Sequence, residues 1–375
     1  YQQFFLQACT GRDIIRVCIV IMAILTGIYV IAGGYMATAI NDFIQGIIML
    51  FGIVAVIAAV LMSKGGFTAA LDGLAKVTDE TVSTTPGVFA SFFGADPLNL
   101  MFVVILTSLG TWGLPQMVQK FYAIKDESSI KKGTIISTIF ALVVAGGSYF
   151  LGGFGRLYSD KIDVKANGFD SIIPTMLSEL SAPLIALVVI LVLSASMSTL
   201  SSLVIASSST LTIDFLKDNI VKKMDEKKQL LSIRIFVVIF IAISAILALV
   251  QYKSSVTFIA QLMGISWGAL AGAFLAPFLY ALYWKKTTKA ACWVSFVFGT
   301  GLMVIDLIGN LTGHHILPTI MQSPINCGAI AMLGGFVIVP IVSLVTPKPD
   351  SKFVEETFAC YKEKHEVEQD IALGD

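Results

Sequence analysis

The stretch Pro183-Leu-Ile-Ala-Leu-Val-Val-Ile-Leu-Val-Leu193 runs straight into Ser194-Ala-Ser-Met-Ser-Thr-Leu-Ser-Ser202. Together they decide how this chain is read. A helix crosses the hydrocarbon core of a bilayer with about 20 mostly apolar residues, and this segment, continued to residue 213, is long enough. Its second half is rich in hydroxyls at membrane depth. Ser194, Ser198, Ser201 and Ser202 follow i, i+4, i+7, i+8 spacing and share one face. A band of hydroxyl oxygens there suits a hard monovalent cation, which prefers oxygen ligands. The same small residues also let helices approach closely, and a serine can bond back to the i−4 carbonyl. Both readings stand on this stretch alone.

The remainder of the chain is of the same kind. Of 375 residues, 56% are hydrophobic and 13% charged, whereas soluble domains carry about 25% charged residues. That balance excludes a soluble enzyme, a nucleic-acid binder and a disordered chain. Net charge is zero, so no global field recruits a charged partner. Cys9, Cys18, Cys292, Cys327 and Cys360 are odd in number and scattered, and no disulfide framework is expected. Nine segments qualify as spans, near 13–33, 36–63, 97–119, 133–155, 183–213, 232–250, 255–283, 290–311 and 327–346. Lipid tolerates no unpaired backbone, so all nine are read as helices of an all-α polytopic membrane protein. Gly33-Gly34 reads as a tight turn, 64–96 as a Gly/Thr/Ser-rich loop. The stretch 156–178 reads as a charged loop ending in a short amphipathic piece around Phe169 to Leu177.

Basic residues set the expected orientation. Loops 120–132, 214–234 and 284–289 and the tail from 347 hold 17 of the 25 Lys and Arg residues. The positive-inside rule makes that side cytoplasmic, with 64–96 and 156–178 external. The C-terminus is then cytoplasmic and the N-terminus of this chain external. The chain begins at Tyr1 and shows no signal-peptide pattern. An external N-terminus fits a chain that lacks an even number of upstream helices.

Polar groups inside spans are costly and mark function. Asp42 lies about six residues, or roughly 9 Å, into its span. Asn41 and Gln45 flank it. It is expected to face the protein interior, either at an ion site or paired with a lysine or a helix end. The span 97–119 contains Gly110-Thr-Trp-Gly-Leu-Pro115. Two glycines and a proline weaken a helix, and the segment is expected to be interrupted there. Such breaks line substrate or ion sites in transporters, although a plain proline kink has the same signature. Gly264, Gly268 and Gly272 form a packing ridge. Asp306, near the outer end of its span, is expected to reach the interface. His314-His315 reads as an outer-loop pair.

These residues resemble the sodium:solute symporter family. Ser194 to Leu203, then Ser207-Ser-Ser and Thr212-Ile-Asp-Phe215, are similar to its signature helix. Gly33-Gly34-Tyr-Met-Ala-Thr-Ala-Ile-Asn-Asp42-Phe-Ile-Gln45 is similar to a second family segment, with Asn41 where threonine is usual. Gly113-Leu-Pro115-Gln with Lys120-Phe121 resembles a third. The resemblance implies a LeuT-type inverted-repeat fold, incomplete at the N-terminus by about four helices. Residues 1–346 would form the transporter domain, with core helices 4–10 plus two accessory helices, and 347–375 a cytoplasmic tail.

The resemblance also implies a sodium site from Ala195, Ser198 and Thr199. A second sodium site is implied from Asp42, Ser198, Ser201 and Ser202. Thr107, Thr111, Trp112 and Gln261 are the substrate-cavity candidates. Aromatic positions of the proline carriers are replaced around Thr107, Thr111 and Trp112, which puts proline in doubt as the solute. The implied activity is sodium-coupled symport of a small organic solute across the plasma membrane. It is not an enzyme, needs no cofactor besides sodium as coupling ion, and binds no nucleic acid. Two alternatives stay open: a transporter-derived membrane sensor, and a non-functional fragment of a symporter.

Overall fold

The computed structural model of the protein describes residues 11–80, 82–118, 121, 124, 126–161, 169–222, 224–254 and 259–361. Cys9, Lys120, Lys125, Lys165, Lys223, Lys362, Lys364 and His365 lie outside the described residues. The helices, in chain order, are α1 Gly11–Ser63, α2 Phe67–Lys76, α3 Pro97–Ser108, α4 Pro115–Val118, α5 Glu127–Gly153 and α6 Ile172–Leu177. They continue with α7 Ala182–Ser209, α8 Glu226–Ser254, α9 Ile259–Tyr283, α10 Lys289–Thr312, α11 Pro324–Val345 and α12 Ser351–Ala359. Among the described residues there is no β-strand, only an isolated bridge between Asp79 and Ser83.

Among the described residues, seven helices are long and apolar enough to cross a membrane. They differ from the nine expected spans in two places. The first two spans are one helical run, of which Arg16–Ser63 is apolar enough to cross a membrane. Its 48 residues would be about 72 Å long if straight, against a core of about 30 Å. The run is broken at Gly34, whose φ of 58° and ψ of −153° lie in a region open only to glycine. The expected turn is therefore a single residue. The segment 97–119 is not a continuous span. α3 ends at Ser108, a 3-10 turn covers Gly110–Gly113, Leu114 is extended, and α4 restarts at Pro115. Proline lacks the N–H that would carry the helix through.

The loop 64–96 holds more structure than expected. Phe67, Ala70, Leu71 and Leu74 recur at i, i+3, i+4, i+7, the period of a helix with one apolar face. That face forms α2, burying Ala70 and Leu74. At the other end of α7 the helix does not stop near 213 but widens into a π-helix over Thr210–Ile220. The Asn219 side-chain amide donates to the Asp214 and Phe215 carbonyls, and the Val221 N–H reaches Leu216 O at 2.7 Å.

The chain forms two compact units, residues 1–74 with 138–256, and residues 75–137 with 257–375. In the first, α1 packs on α7 and α8. Ile53, Val56 and Val60 are buried with Leu151, Tyr158 and Met176, and Leu184, Val188 and Leu191 of α7 close over them. Nearer the start of α1, Val30 is buried with Val204 of α7 and Val237 and Ile241 of α8. Lys64 sits over the Tyr158 ring at 3.7 Å and 4.0 Å from Glu179, which also hydrogen-bonds Lys161. The Lys161 ammonium holds the Glu179 carboxyl below its ordinary value.

In the second unit, α9, α10 and α11 pack at very short range. A methyl added at Gly268 would lie 2.6 Å from the Gly328 Cα, and one at Gly299 would lie 2.3 Å from the Gly272 carbonyl carbon. The glycine ridge of α9 is thus a packing surface, where small residues let backbones meet. Thr288 caps α10 by accepting from the Ala291 N–H at 3.3 Å, and its hydroxyl meets that of Thr346 at 2.7 Å.

Candidate functional site

The hydroxyl helix α7 buries Ser194, Ser201 and Ser208, and Thr212 is buried in the π-helix that follows. Spacings of 7, 7 and 4 residues keep these four near one face. The Thr199 hydroxyl donates to the Ala195 carbonyl at 2.9 Å, and the Ser201 hydroxyl donates to the Ser198 carbonyl at 3.0 Å. Two oxygens expected at the first sodium site are therefore in contact. This back-bond is what helix packing alone requires. It also holds ready the pair of oxygens that a cation would take if the Thr199 hydroxyl turned its proton away. Ser198 and Ser202 are half-buried, and Thr199 is exposed.

Asp42 lies in the part of α1 beyond Gly34 and is half-buried. The break at Gly34 brings it back toward the first part of the same helix. The Tyr29 hydroxyl donates to the Met197 carbonyl at 3.0 Å. Ser201, Thr26 and Asn41 lie beside that hydroxyl, and the charge of Asp42 is felt there. Ser201, one of the residues expected at the second sodium site, is thus at that phenol oxygen. On this face of α7 and its continuation, Ser208 Oγ and Thr212 Oγ1 are buried without a hydrogen-bond partner. An unsatisfied buried group costs about 1–3 kcal/mol. Buried oxygens without donors are what a small cation binds.

Thr26 and Tyr29 did not emerge from the sequence reading. The signal was present, since they are the polar residues of Val17-Cys-Ile-Val-Ile-Met-Ala-Ile-Leu-Thr-Gly-Ile-Tyr-Val30 and stand three apart on one helix face. Nothing in the run itself, however, points that face at α7.

Of the substrate-cavity candidates, Thr111 and Trp112 lie on the 3-10 turn itself, and Trp112 is 59% exposed. The Thr107 hydroxyl donates to the Val103 carbonyl at 2.8 Å, and that of Thr111 to the Ser108 carbonyl at 2.9 Å. Gln261, on α9, is half-buried. Gly113 presses against α9, where an added methyl would lie 2.9 Å from the Ala271 Cα. Glycine is needed here for close approach.

Asp306 does not reach the interface as expected. It is 2% exposed on α10. The Asn310 side-chain amide, one turn later, donates to its Oδ1 at 3.0 Å and to its carbonyl at 2.9 Å. That amide keeps the carboxyl inside the bundle, against the outward pull of solvation.

Comparison with known proteins bears on family and fold. A sequence profile of the sodium:solute symporter family matches residues 4–299. The osmoregulated proline transporter OpuE of Bacillus subtilis (strain 168) is 26% identical, over 86% of this chain and 62% of its own length. The sodium/pantothenate symporter of Haemophilus influenzae is 28% identical, over 84% of this chain and 63% of its own. The sodium/proline symporter of Staphylococcus aureus is 27% identical, over 90% and 63%. The chain thus spans somewhat under two thirds of the length of these relatives. A sodium-coupled sialic acid symporter, solved in a substrate-bound outward-open state, shares the fold. Its TM-score is 0.63 at 15% identity, covering 89% of this chain and 68% of that one. With a family match over most of its length, this chain belongs to the sodium:solute symporter family.

Proposed function

We propose that this chain is the larger part of a sodium-coupled symporter for a small organic solute, working by alternating access. The observation that carries the reading is the bond from the Tyr29 hydroxyl to the Met197 carbonyl, which ties α1, the helix of Asp42, to the stretch of α7 that holds the Ala195–Thr199 oxygen pair. An acid and a set of hydroxyl and carbonyl oxygens at membrane depth are chemistry for a hard cation. In this reading Ala195, Ser198 and Thr199 bind one sodium ion, and Asp42, Ser198, Ser201 and Ser202 bind a second. The structure of the sialic acid symporter revealed a novel sodium site in that protein, which supports looking for a second ion here. Sodium bound to α7 favours one conformation, and the gradient drives solute by shifting a pre-existing equilibrium. Thr107, Thr111, Trp112 and Gln261 are the residues proposed to meet solute, because a broken helix leaves backbone groups free to line a cavity.

Uptake into proteoliposomes holding the natural full-length protein tests this. Proline, pantothenate, sialic acid and glucose form the starting panel. An imposed sodium gradient is expected to drive accumulation of one solute class, and its collapse to abolish it. Accumulation that ignores sodium would end the proposal.

The orientation proposed has 120–132, 214–231, 284–289 and the C-terminus cytoplasmic, in the plasma membrane. Lys64, Lys161 and Glu179 meeting at one end of the first unit supports having 64–96 and 156–178 on a common side. In sealed cells a cysteine replacing Lys222 is expected to resist an impermeant thiol reagent until the membrane is permeabilised. Labelling of intact cells at that position would reverse the orientation.

A further inference from the structure

Asp306 is the one acid in the bundle of α9, α10 and α11. α9 and α11 carry no Asp, Glu, Lys or Arg, and the other charge on α10, Lys289, stands at its opposite end. The loop 313–323 holds no Lys or Arg either. Asp306 is 2% exposed. Its Oδ1 accepts from the Asn310 amide at 3.0 Å, and its Oδ2 is buried with no hydrogen-bond partner. Thus no ammonium or guanidinium of the bundle balances an ionised carboxylate. A buried acid in this position takes up a counter-ion or a proton.

The surroundings choose between the two. Asn310 turns an N–H toward the carboxyl, and a donor repels a cation. Among the described residues no three His, Cys, Asp or Glu side chains gather as metal ligands. α9 brings no ionisable group to this end of the bundle, where its Gly264 meets Pro324 and Ile325. α11 brings the Cys327 thiol, whose Sγ lies 3.9 Å from the Leu302 carbonyl. The loop brings His314 and His315.

His315 also marks a way in. Gly309 is buried one turn after Asp306, a spacing that makes the two neighbours on the helix. A methyl added at Gly309 would lie 3.1 Å from His315 Nδ1, so the ring rests there, and His315 itself is exposed. An imidazole takes up and releases protons near neutral pH. Asn310 leads outward by another path. Its amide also donates to the Asp306 carbonyl at 2.9 Å and reaches the Gln322 carbonyl at 3.5 Å, while the Gln322 amide donates to the Leu317 carbonyl at 3.1 Å. One side chain thus joins the acid to the loop that leads into α11.

We propose that Asp306 is a proton-binding site, filled from the side of the loop 313–323 by way of His315, and that its proton holds this corner of the bundle together. With the proton on Oδ2 the acid is neutral and suits its apolar walls. When the proton passes to the imidazole or to water, the bare carboxylate is drawn toward solvent and pulls on Asn310 and the loop. The inference uses none of the residues of the sodium sites and stands apart from them.

The test uses purified full-length protein. A folded state that holds one proton more than the unfolded chain loses stability as pH rises. Between pH 5 and pH 8 the thermal midpoint is expected to fall by about 2–4 °C more in the natural protein than in Asp306→Asn, whose amide is neutral at every pH. Infrared spectra give a second readout. A carboxylic C=O band present at pH 5 is expected to fade toward pH 8, to be missing from Asp306→Asn and to move in Asp306→Glu, which identifies it even if the amide variant fails to fold. His315→Ala is expected to slow the deuterium shift of that band in heavy water about tenfold, and an unchanged rate would overturn the route through His315. No band that depends on residue 306, or midpoint profiles that run parallel in the natural protein and Asp306→Asn, would overturn the site. A midpoint that rises with sodium or potassium at fixed pH in the natural protein and not in Asp306→Asn would give the acid to a metal cation and overturn it as well.

Discussion

Removing the hydroxyls of Ser198 and Thr199 by alanine substitution is expected to raise the sodium requirement of transport about tenfold for each oxygen lost, or about 1.4 kcal/mol apiece. Alanine is small and apolar and keeps α7 close to its neighbours, so packing changes little. The structure makes the comparison sharp. Thr199 donates to the Ala195 carbonyl at 2.9 Å, and if that back-bond were its whole purpose, the loss of an exposed hydroxyl would cost next to nothing. A cation ligand behaves otherwise, since an ion stripped of water needs every oxygen. Apparent solute affinity is expected to fall in parallel, because coupling between two binding sites is reciprocal. Sodium activation curves and solute affinities at normal surface expression check this. Curves that superimpose on those of the natural protein would leave α7 a packing helix.

Asp42→Asn is expected to act on coupling rather than on the first site. It replaces a carboxylate by an amide of the same shape, and the hydroxyls of Ser198, Ser201 and Ser202 remain. With the charge gone, the second ion is held far less well and the protein tends toward one ion per solute. For a roughly tenfold sodium gradient, the limiting accumulation then falls from about 100-fold to about 10-fold. Voltage dependence weakens as well, since one fewer charge crosses per cycle. The measurement is the reversal potential of solute-coupled current, or steady-state accumulation against a set sodium gradient. An unchanged ion-to-solute ratio in Asp42→Asn would remove Asp42 from the ion path. Asn41 beside it sharpens the test, because an amide there already neighbours Tyr29 and the variant places a second one next to it.

Membrane residence, the helical class and the identity of α7 were legible in the order of residues. Long apolar runs leave the backbone no partner but itself, so helix follows from solvent alone. The interruption at Gly110 to Pro115 was legible for a related reason: proline and glycine act through their own backbone, whatever surrounds them. The glycine ridge of α9 could likewise be read as a contact surface, although only the structure showed its partners, Gly328, Ala331 and Gly299.

Tertiary structure decided three other matters. Helix α2 hides in a loop-like composition and exists because Ala70 and Leu74 have a face to bury against. Asp306 stays inside because Asn310 turns back to it, a choice between solvent and an amide that only geometry settles. Above all, nothing in the run from Val17 to Val30 shows that Tyr29 meets α7 at the Met197 carbonyl. Met197 and Ser201, its neighbours, are 168 and 172 residues away from Tyr29 in the chain, and what gathers them is the packing of α1 on α7. A sequence states which groups can bind an ion. Which of them share one, among groups distant along the chain, is decided where the helices fold back on each other.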